Sequence, residues 1–420
     1  MSLIKTSSIY LLSNLLNAII PFLLLPILTR NLTTAEYGQI AIFQMLLTGV
    51  TAIIGLNSSA AANRKFYDEN ETTSSLREYN GSSLQIIIFS SLITFFLTFI
   101  FSNELSYFLT IPISWIYYSV IISSFTYVCT FRLGQWQVRS KAKHYGLLQV
   151  ISSAVNMLLS LYLVISLREG ASGRVNAQLI TSIIFAIIAI TLLYKDNLIK
   201  LITFCPSKIK ELLAYGLPLV PHNIGFFLIG SIDRFFINKE IGLSETGIYM
   251  VALQISLGLA IIFDAINKAY VPWLFGKLKE NEYKEKVIIV KFTYLYCFSL
   301  LLIPLLGFIL GPTLVIFIAG KNYAEAGNLI GWLCLGQTFG GMYLMVTNYL
   351  FYSKKTGKLA SITIFTGIIN VLLLIVLIHS LGLIGAAVAF SVSKLLQFIF
   401  TWLAALKCVD MPWFYFKKRA

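Results

Sequence analysis

Charge is what this sequence has least of. Asp, Glu, Lys and Arg make up 12% of its 420 residues, about half the share usual in a soluble globular domain. With 57% of the residues hydrophobic, there are too few charges to dress a water-facing surface, so lipid must cover much of the outside. Signatures of soluble catalysis are missing as well. The chain has no Walker A loop, no His-Glu-x-x-His, no Asp-x-Asp and no Gly-x-Ser-x-Gly, which argues against an enzyme and against transport driven by a bound nucleotide. Its five cysteines (Cys129, Cys205, Cys297, Cys334 and Cys408) are scattered without Cys-x-x-Cys spacing. No disulfide, metal site or cofactor is expected from them. Long polar loops are also lacking, so no soluble domain is inserted.

What is present is apolar length. Runs such as Leu84 to Phe101, LQIIIFSSLITFFLTFIF, are long enough to cross a bilayer as helix. Their continuity separates them from the short alternating segments of an outer-membrane barrel. Hydropathy predicts twelve spans at roughly 8–29, 38–62, 84–102, 113–134, 146–167, 175–194, 214–237, 247–269, 288–310, 329–350, 361–380 and 384–404. The expected fold class is an all-α polytopic membrane protein. The first run follows too little charge and lacks a clear cleavage site, so it reads as a span and not as a signal peptide.

The net charge of +14 follows topology. Counted from an N-terminus inside, the inner segments gather Lys5, then Arg64, Lys65 and Arg77, then Arg139, Lys141 and Lys143, then Lys195, Lys200, Lys208 and Lys210. Further along they gather Lys277, Lys279, Lys284 and Lys286, then Lys354, Lys355 and Lys358, and finally Lys407, Lys417, Lys418 and Arg419. The outer segments hold only Arg30, Arg168, Arg174, Lys239 and Lys321. This is the positive-inside bias, not a nucleic-acid footprint. Trp115 and Trp136 bracket the fourth span, and Trp273, Trp332 and Trp402 fall at other span ends, which predicts an interfacial belt.

The chain divides near its middle, with domains expected at 1–205 and 206–420. The stretch Lys195 to Leu213 alternates lysines with Leu198, Ile199, Leu201, Ile202 and Phe204. It reads as an interfacial amphipathic helix joining two halves, with a solvated linker as the alternative. A shift of 209 residues lays Arg30 on Lys239, Leu32 on Ile241, Glu36 on Glu245 and Gly38 on Gly247. Both stretches follow a proline-bearing span, Pro21 and Pro26 in one and Pro218 and Pro221 in the other. Six spans per half make the repeats parallel, an arrangement of transporters that rock two bundles around a midplane site.

Ionisable groups within spans are costly and mark sites. Asp233 and Arg234 lie in the seventh span, Asp264 and Lys268 in the eighth and Lys394 deep in the twelfth. Asp233 and Arg234 are helical neighbours pointing about 100° apart, so at least one needs another partner. Asp264 and Lys268, at i,i+4, either neutralise each other or serve the site. Lys394 should face a partner carboxylate or a wet cavity. Arg132 and Lys291 sit near span ends and read as snorkelling anchors. His222, beside Pro221, is either a proton relay or a structural histidine.

The stretches PFLLLPILTRNLTTAEYG (Pro21 to Gly38) and YGLPLVPHNIGFFLIGSIDRFFINKEIGLSETGIY (Tyr215 to Tyr249) resemble the Wzx O-antigen flippases. These belong to the multidrug/oligosaccharidyl-lipid/polysaccharide exporter superfamily. The resemblance implies a MATE-like fold: two pseudo-symmetric six-helix bundles in a V around a basic cavity, alternating in access. It implies a substrate too, an oligosaccharide repeat unit on undecaprenyl pyrophosphate, carried from the cytoplasmic to the periplasmic leaflet of the inner membrane by an ion gradient. Arginine grips pyrophosphate well. Arg30, Arg234, Lys268 and Lys394 are the candidate cavity or gate cations; Asp233, Asp264 and Glu36 are coupling or structural carboxylates, and His222 is a relay candidate. Expected partners are the lipid-linked glycan, membrane lipids and other polysaccharide assembly proteins, with both termini cytoplasmic. The rivals are a cation-coupled multidrug exporter of the same fold and a membrane polysaccharide polymerase or ligase.

Overall fold

The computed structural model describes residues 3–68, 71–201 and 203–414. Ile202, Lys417, Lys418 and Arg419 of the reading above lie outside the described residues. The chain is all-helical: α1 (Leu3–Asn31), α2 (Thr34–Ile53), α3 (Ser58–Lys65), α4 (Thr73–Ile100), α5 (Ser102–Leu109), α6 (Ile113–Val138), α7 (Ala142–Leu161) and α8 (Gly170–Lys195) come first. After them run α9 (Pro206–Gly216), α10 (Val220–Gly230), α11 (Asp233–Glu240), α12 (Leu243–Glu280), α13 (Tyr283–Leu300), α14 (Leu302–Ala319), α15 (Gly327–Tyr352) and α16 (Thr356–Leu406).

Eleven helical stretches of the described chain are long and apolar enough to cross a membrane. The last, α16, has 51 residues and as one straight rod would reach roughly 75 Å, more than twice a bilayer's hydrocarbon core. It is broken at Gly382, whose φ of 59° and ψ of −136° are open to glycine and strained for any other residue. The chain doubles back there, and Ser393 Oγ donates to Asn370 Oδ1 at 2.9 Å across the two limbs. The two limbs are the predicted eleventh and twelfth spans. Counted by limb, the described residues hold twelve stretches long and apolar enough to cross a membrane.

The helices form two compact units, Met1–Phe227 with Gly242–Gly247, and Leu228–Ile241 with Ile248–Ala420. In the first unit, α6 packs between α2, α4 and α8, and α1 lies along α7. Its basic end holds a core of Tyr79, Phe131, Leu193, Ile199 and Leu212. In the second unit, α15 is the most enclosed span and packs between α14 and α16. Near its end the chain folds back, with Tyr294 Oη donating to the Trp413 carbonyl at 2.7 Å and Tyr349, Trp402 and Trp413 clustering.

The first turn of α12 packs within the first unit, where the half-chain repeat becomes visible as geometry. Thr33 caps α2 reciprocally with Glu36. At the equivalent position Gly242 opens α12, and the Thr246 amide donates to its carbonyl at 3.2 Å just as Tyr37 donates to Thr33 at 3.0 Å. The two helix starts cross at Gly38 and Gly247. A Cβ on Gly38 would lie 1.9 Å from the Leu243 carbonyl oxygen, and a Cβ on Gly247 would lie 2.0 Å from that of Thr34. Leu243 and Thr34 are themselves equivalent under the 209-residue shift, so the contact is reciprocal. Thr34 Oγ1 and Ser244 Oγ, 2.9 Å apart, close it.

Three expectations are corrected. Lys195–Leu213 is not one amphipathic helix: α8 stops at Lys195, Asn197 takes a left-handed φ of 52°, and no helix resumes before Pro206. The segment between lies along α4 as a strap. The Lys200 amide donates to the Arg77 carbonyl at 3.1 Å, Asn80 Nδ2 to the Leu198 carbonyl at 2.9 Å, and Gln85 Nε2 to the Leu201 carbonyl at 2.7 Å. Those side chains satisfy the backbone that a helix would have bonded internally, and a residue preceding proline disfavours helix. Trp115 and Trp136 do not present their rings to lipid, since both are buried at 3% exposure. Arg132 does not snorkel: fully buried, it pairs with Asp196 and stacks 4.1 Å over Trp136.

Candidate functional site

The first unit contains a cavity of about 750 Å³, lined by α1, α2, α6, α7, α8 and the start of α10. Its wall is built from polar residues at helical spacing. On α8, Arg174, Gln178, Thr181, Ser182 and Phe185 fall on one face; on α2, Gln44, Thr48 and Thr51 do the same. Asn17 of α1, Ser152, Ser153 and Asn156 of α7, Ser123 and Thr126 of α6 and Asn223 of α10 add further polar groups, and Ile20, Leu24, Leu47, Ala52 and Ile122 supply apolar surface between them. More than half of the lining side chains are amides or hydroxyls, and none is a carboxylate.

These groups are partly bonded to one another. Gln44 Nε2 donates to Gln178 Oε1 at 3.0 Å, Thr51 Oγ1 to Ser123 Oγ at 3.0 Å and Asn223 Nδ2 to Asn57 Oδ1 at 3.1 Å. Ser153 Oγ donates to Asn17 Oδ1. Such pairs hold the rotamers while leaving each amide a free donor or acceptor face. Phe226 and Phe227 add two flat apolar surfaces.

Arg174 is the one charged residue of the wall. Its Nη1 donates to Asn156 Oδ1 at 2.5 Å and to Ser160 Oγ at 2.6 Å. Among the described residues it forms no ion pair. A guanidinium inside a span and held only by neutral oxygens is an uncompensated charge, which hydrocarbon penalises heavily. The sequence reading placed Arg174 in an outer segment, one residue before its sixth span. It is instead in the second turn of α8, which begins at Gly170. The legible signal was the run of polar residues at i, i+4, i+7 and i+8 from Arg174, which a search restricted to charges passes over.

The residues singled out from the sequence fall elsewhere. Arg30 is exposed at the end of α1, and Glu36 closes the cap of α2 with the Thr33 amide at 2.9 Å. His222 turns its ring edge to Phe226 at 4.7 Å, and its Nδ1 is buried without a partner. In the second unit, Asp233 is buried at 1% exposure and accepts a 2.6 Å hydrogen bond from Tyr249 Oη. That tyrosine is the partner which the adjacent Arg234 cannot supply. Arg234 is buried as well, with Nε unpartnered. Asp264 and Lys268 pair at 2.6 Å, each about half exposed, so the self-neutralising alternative describes them. Lys394 Nζ lies 3.5 Å from Gln397 Oε1 and 5.8 Å from the Phe390 ring centre, with no carboxylate partner among the described residues. No cluster of metal-ligating residues occurs among the described residues.

Known proteins agree with this architecture. Solved structures with the same fold are the lipid II flippase MurJ in an inward closed conformation and an inward-facing multidrug resistance MATE family transporter of the MOP superfamily. The first has a TM-score of 0.76 at 14% identity, over 96% of this chain and 87% of that one. The second has a TM-score of 0.71 at 16% identity, over 98% and 96%. An uncharacterized membrane protein of Haemophilus influenzae is 30% identical over 366 residues, 86% of this chain and 86% of that one. The family model described as polysaccharide biosynthesis protein matches residues 3–277, and to that family of multi-pass membrane proteins this chain belongs.

Proposed function

We propose that this protein is a flippase that moves undecaprenyl-pyrophosphate-linked O-antigen or polysaccharide repeat units from the cytoplasmic to the periplasmic leaflet of the bacterial inner membrane. The observation that carries the reading is the acid-free cavity around Arg174, which sets amide and hydroxyl side chains among apolar ones inside otherwise apolar spans. A family that builds polysaccharide has no use for such a cavity as mere packing, whereas a polyhydroxylated substrate crossing hydrocarbon needs it. The polyprenyl tail stays in lipid. Arg234 and Lys394 are the cations offered to the pyrophosphate, and the halves divided near residues 205 and 206 rock to alternate access.

In this reading Asp233, held by Tyr249, is the coupling carboxylate, and His222 relays protons. Arg30 and Glu36 belong to the rim, while Lys268 and Asp264 act as a neutral pair. Both termini face the cytoplasm, which puts the lysine-rich loops inside. A multidrug exporter would present carboxylates to cationic amphiphiles, and this cavity presents none.

Deleting the gene should strip surface polysaccharide while lipid-linked repeat units accumulate in the cytoplasmic leaflet, both reversed by the restored gene. Unchanged surface polysaccharide and no accumulation in the deletion strain would overturn the reading.

A further inference from the structure

We propose that the cavity of the first unit is a subsite for a sugar residue bearing a single carboxylate, with Arg174 as its counter-ion. The inference rests on the reading of the chain as a carrier of lipid-linked saccharides and names what this part of it accepts.

Charge matching comes first. Arg174 contributes one positive charge, no carboxylate lines the wall, and its Nη1 is anchored on Asn156 and Ser160. The remaining face of the guanidinium is held by no protein acceptor among the described residues. A planar carboxylate fits that face bidentately and cancels the charge. Pyrophosphate carries more than one negative charge at neutral pH, so placing it here would exchange an excess of positive charge for an excess of negative charge within a span. A neutral sugar would leave the arginine uncompensated.

The rest of the wall suits a saccharide better than an inorganic anion. An oxyanion asks only for donors. The amides of Asn17, Gln44, Gln178 and Asn223 and the surrounding hydroxyls offer donors and acceptors alike, as ring hydroxyls require. Phe226 and Phe227 supply the flat apolar surface against which the C–H face of a pyranose rests.

The test is equilibrium binding to the full-length protein in lipid nanodiscs, read by saturation-transfer NMR with glucuronate, glucose and inorganic pyrophosphate. Glucuronate should bind about tenfold or more tighter than glucose, the worth of one charge-assisted bond, and pyrophosphate binding should not depend on Arg174. Arg174→Gln should erase the preference, and Arg174→Lys should retain part of it. Monodisperse elution of both variants separates lost recognition from lost folding; should Arg174→Gln not fold, competition by glucose against bound glucuronate in the wild type decides the matter. Equal binding of glucuronate and glucose, survival of the preference in Arg174→Gln, loss of pyrophosphate binding in Arg174→Gln, or no binding of glucuronate would each overturn the proposal. None of these measures flux, so failure of the flippase reading shows separately in the deletion strain.

Discussion

A single ion pair illustrates how the basic end of the first unit is held. Arg132 is fully buried, and Asp196, a third exposed, is its partner, with Lys141 at 3.8 Å from the same carboxylate. Burial pushes the Asp196 carboxyl up, but the Arg132 hydrogen bond and the charges of Arg132 and Lys141 outweigh it and hold the group below the usual carboxylate range. A depressed carboxylate stabilises the fold above its ordinary value, near 4, and that contribution is lost as pH falls through the folded value. Thermal unfolding in micelles between pH 3 and 7 should therefore show stability falling at the acid end. Asp196→Asn should cost about 2–3 kcal/mol at pH 7, less than a fully buried pair because Asp196 is partly solvated, and should show less of the acid-side loss. At this scale the sequence was legible where residues are charged and deep: Asp233, Arg234 and Lys394 were all singled out. It was opaque for Arg174, because one residue's error in a span boundary turns an intramembrane charge into a loop charge.

Among the elements, the spans were readable because hydrocarbon dictates their length and composition; even the doubled α16 divides where two runs were expected, at Gly382. The strap at 196–205 was not. Lysines alternating with leucine and isoleucine suit an amphipathic helix, but they equally suit an extended segment with one side docked, and only the complementary groups of α4 decide between them. Gly81 is one of those groups, since a Cβ there would lie 2.1 Å from the Lys200 carbonyl oxygen. Gly81→Val should lift the strap, although Lys200 and Lys208 would still reach toward Glu78. Limited trypsinolysis at those lysines should then run severalfold faster than in the wild type; an unchanged cleavage rate would mean that the side-chain bonds alone hold the segment.

For the molecule as a whole, length, hydropathy and the half-chain shift carried the reading to the fold, and the resemblance of Pro21 to Gly38 and Tyr215 to Tyr249 carried it to the family. What they left out is the cavity, because it is lined by neutral amides and hydroxyls whose one-letter codes are the same in a packed core. It assembles only when α1, α2, α6, α7, α8 and α10 bring those groups around one space. The crossing of α2 and α12 at Gly38 and Gly247 bears on a different matter. Each helix start offers the other the same surface it receives, an isologous contact of the kind that joins two identical subunits, here contained within one polypeptide. Such a contact has one set of tolerances serving two positions. Gly38→Ala and Gly247→Ala should lower the melting stability by similar amounts, about 1–3 kcal/mol each for a forced overpacking, and the double variant should lose less than the sum because the two changes strain one crossing. Neither glycine can gain a side chain without the backbone of the opposite helix start giving way, so the crossing fixes two positions of the sequence with one contact.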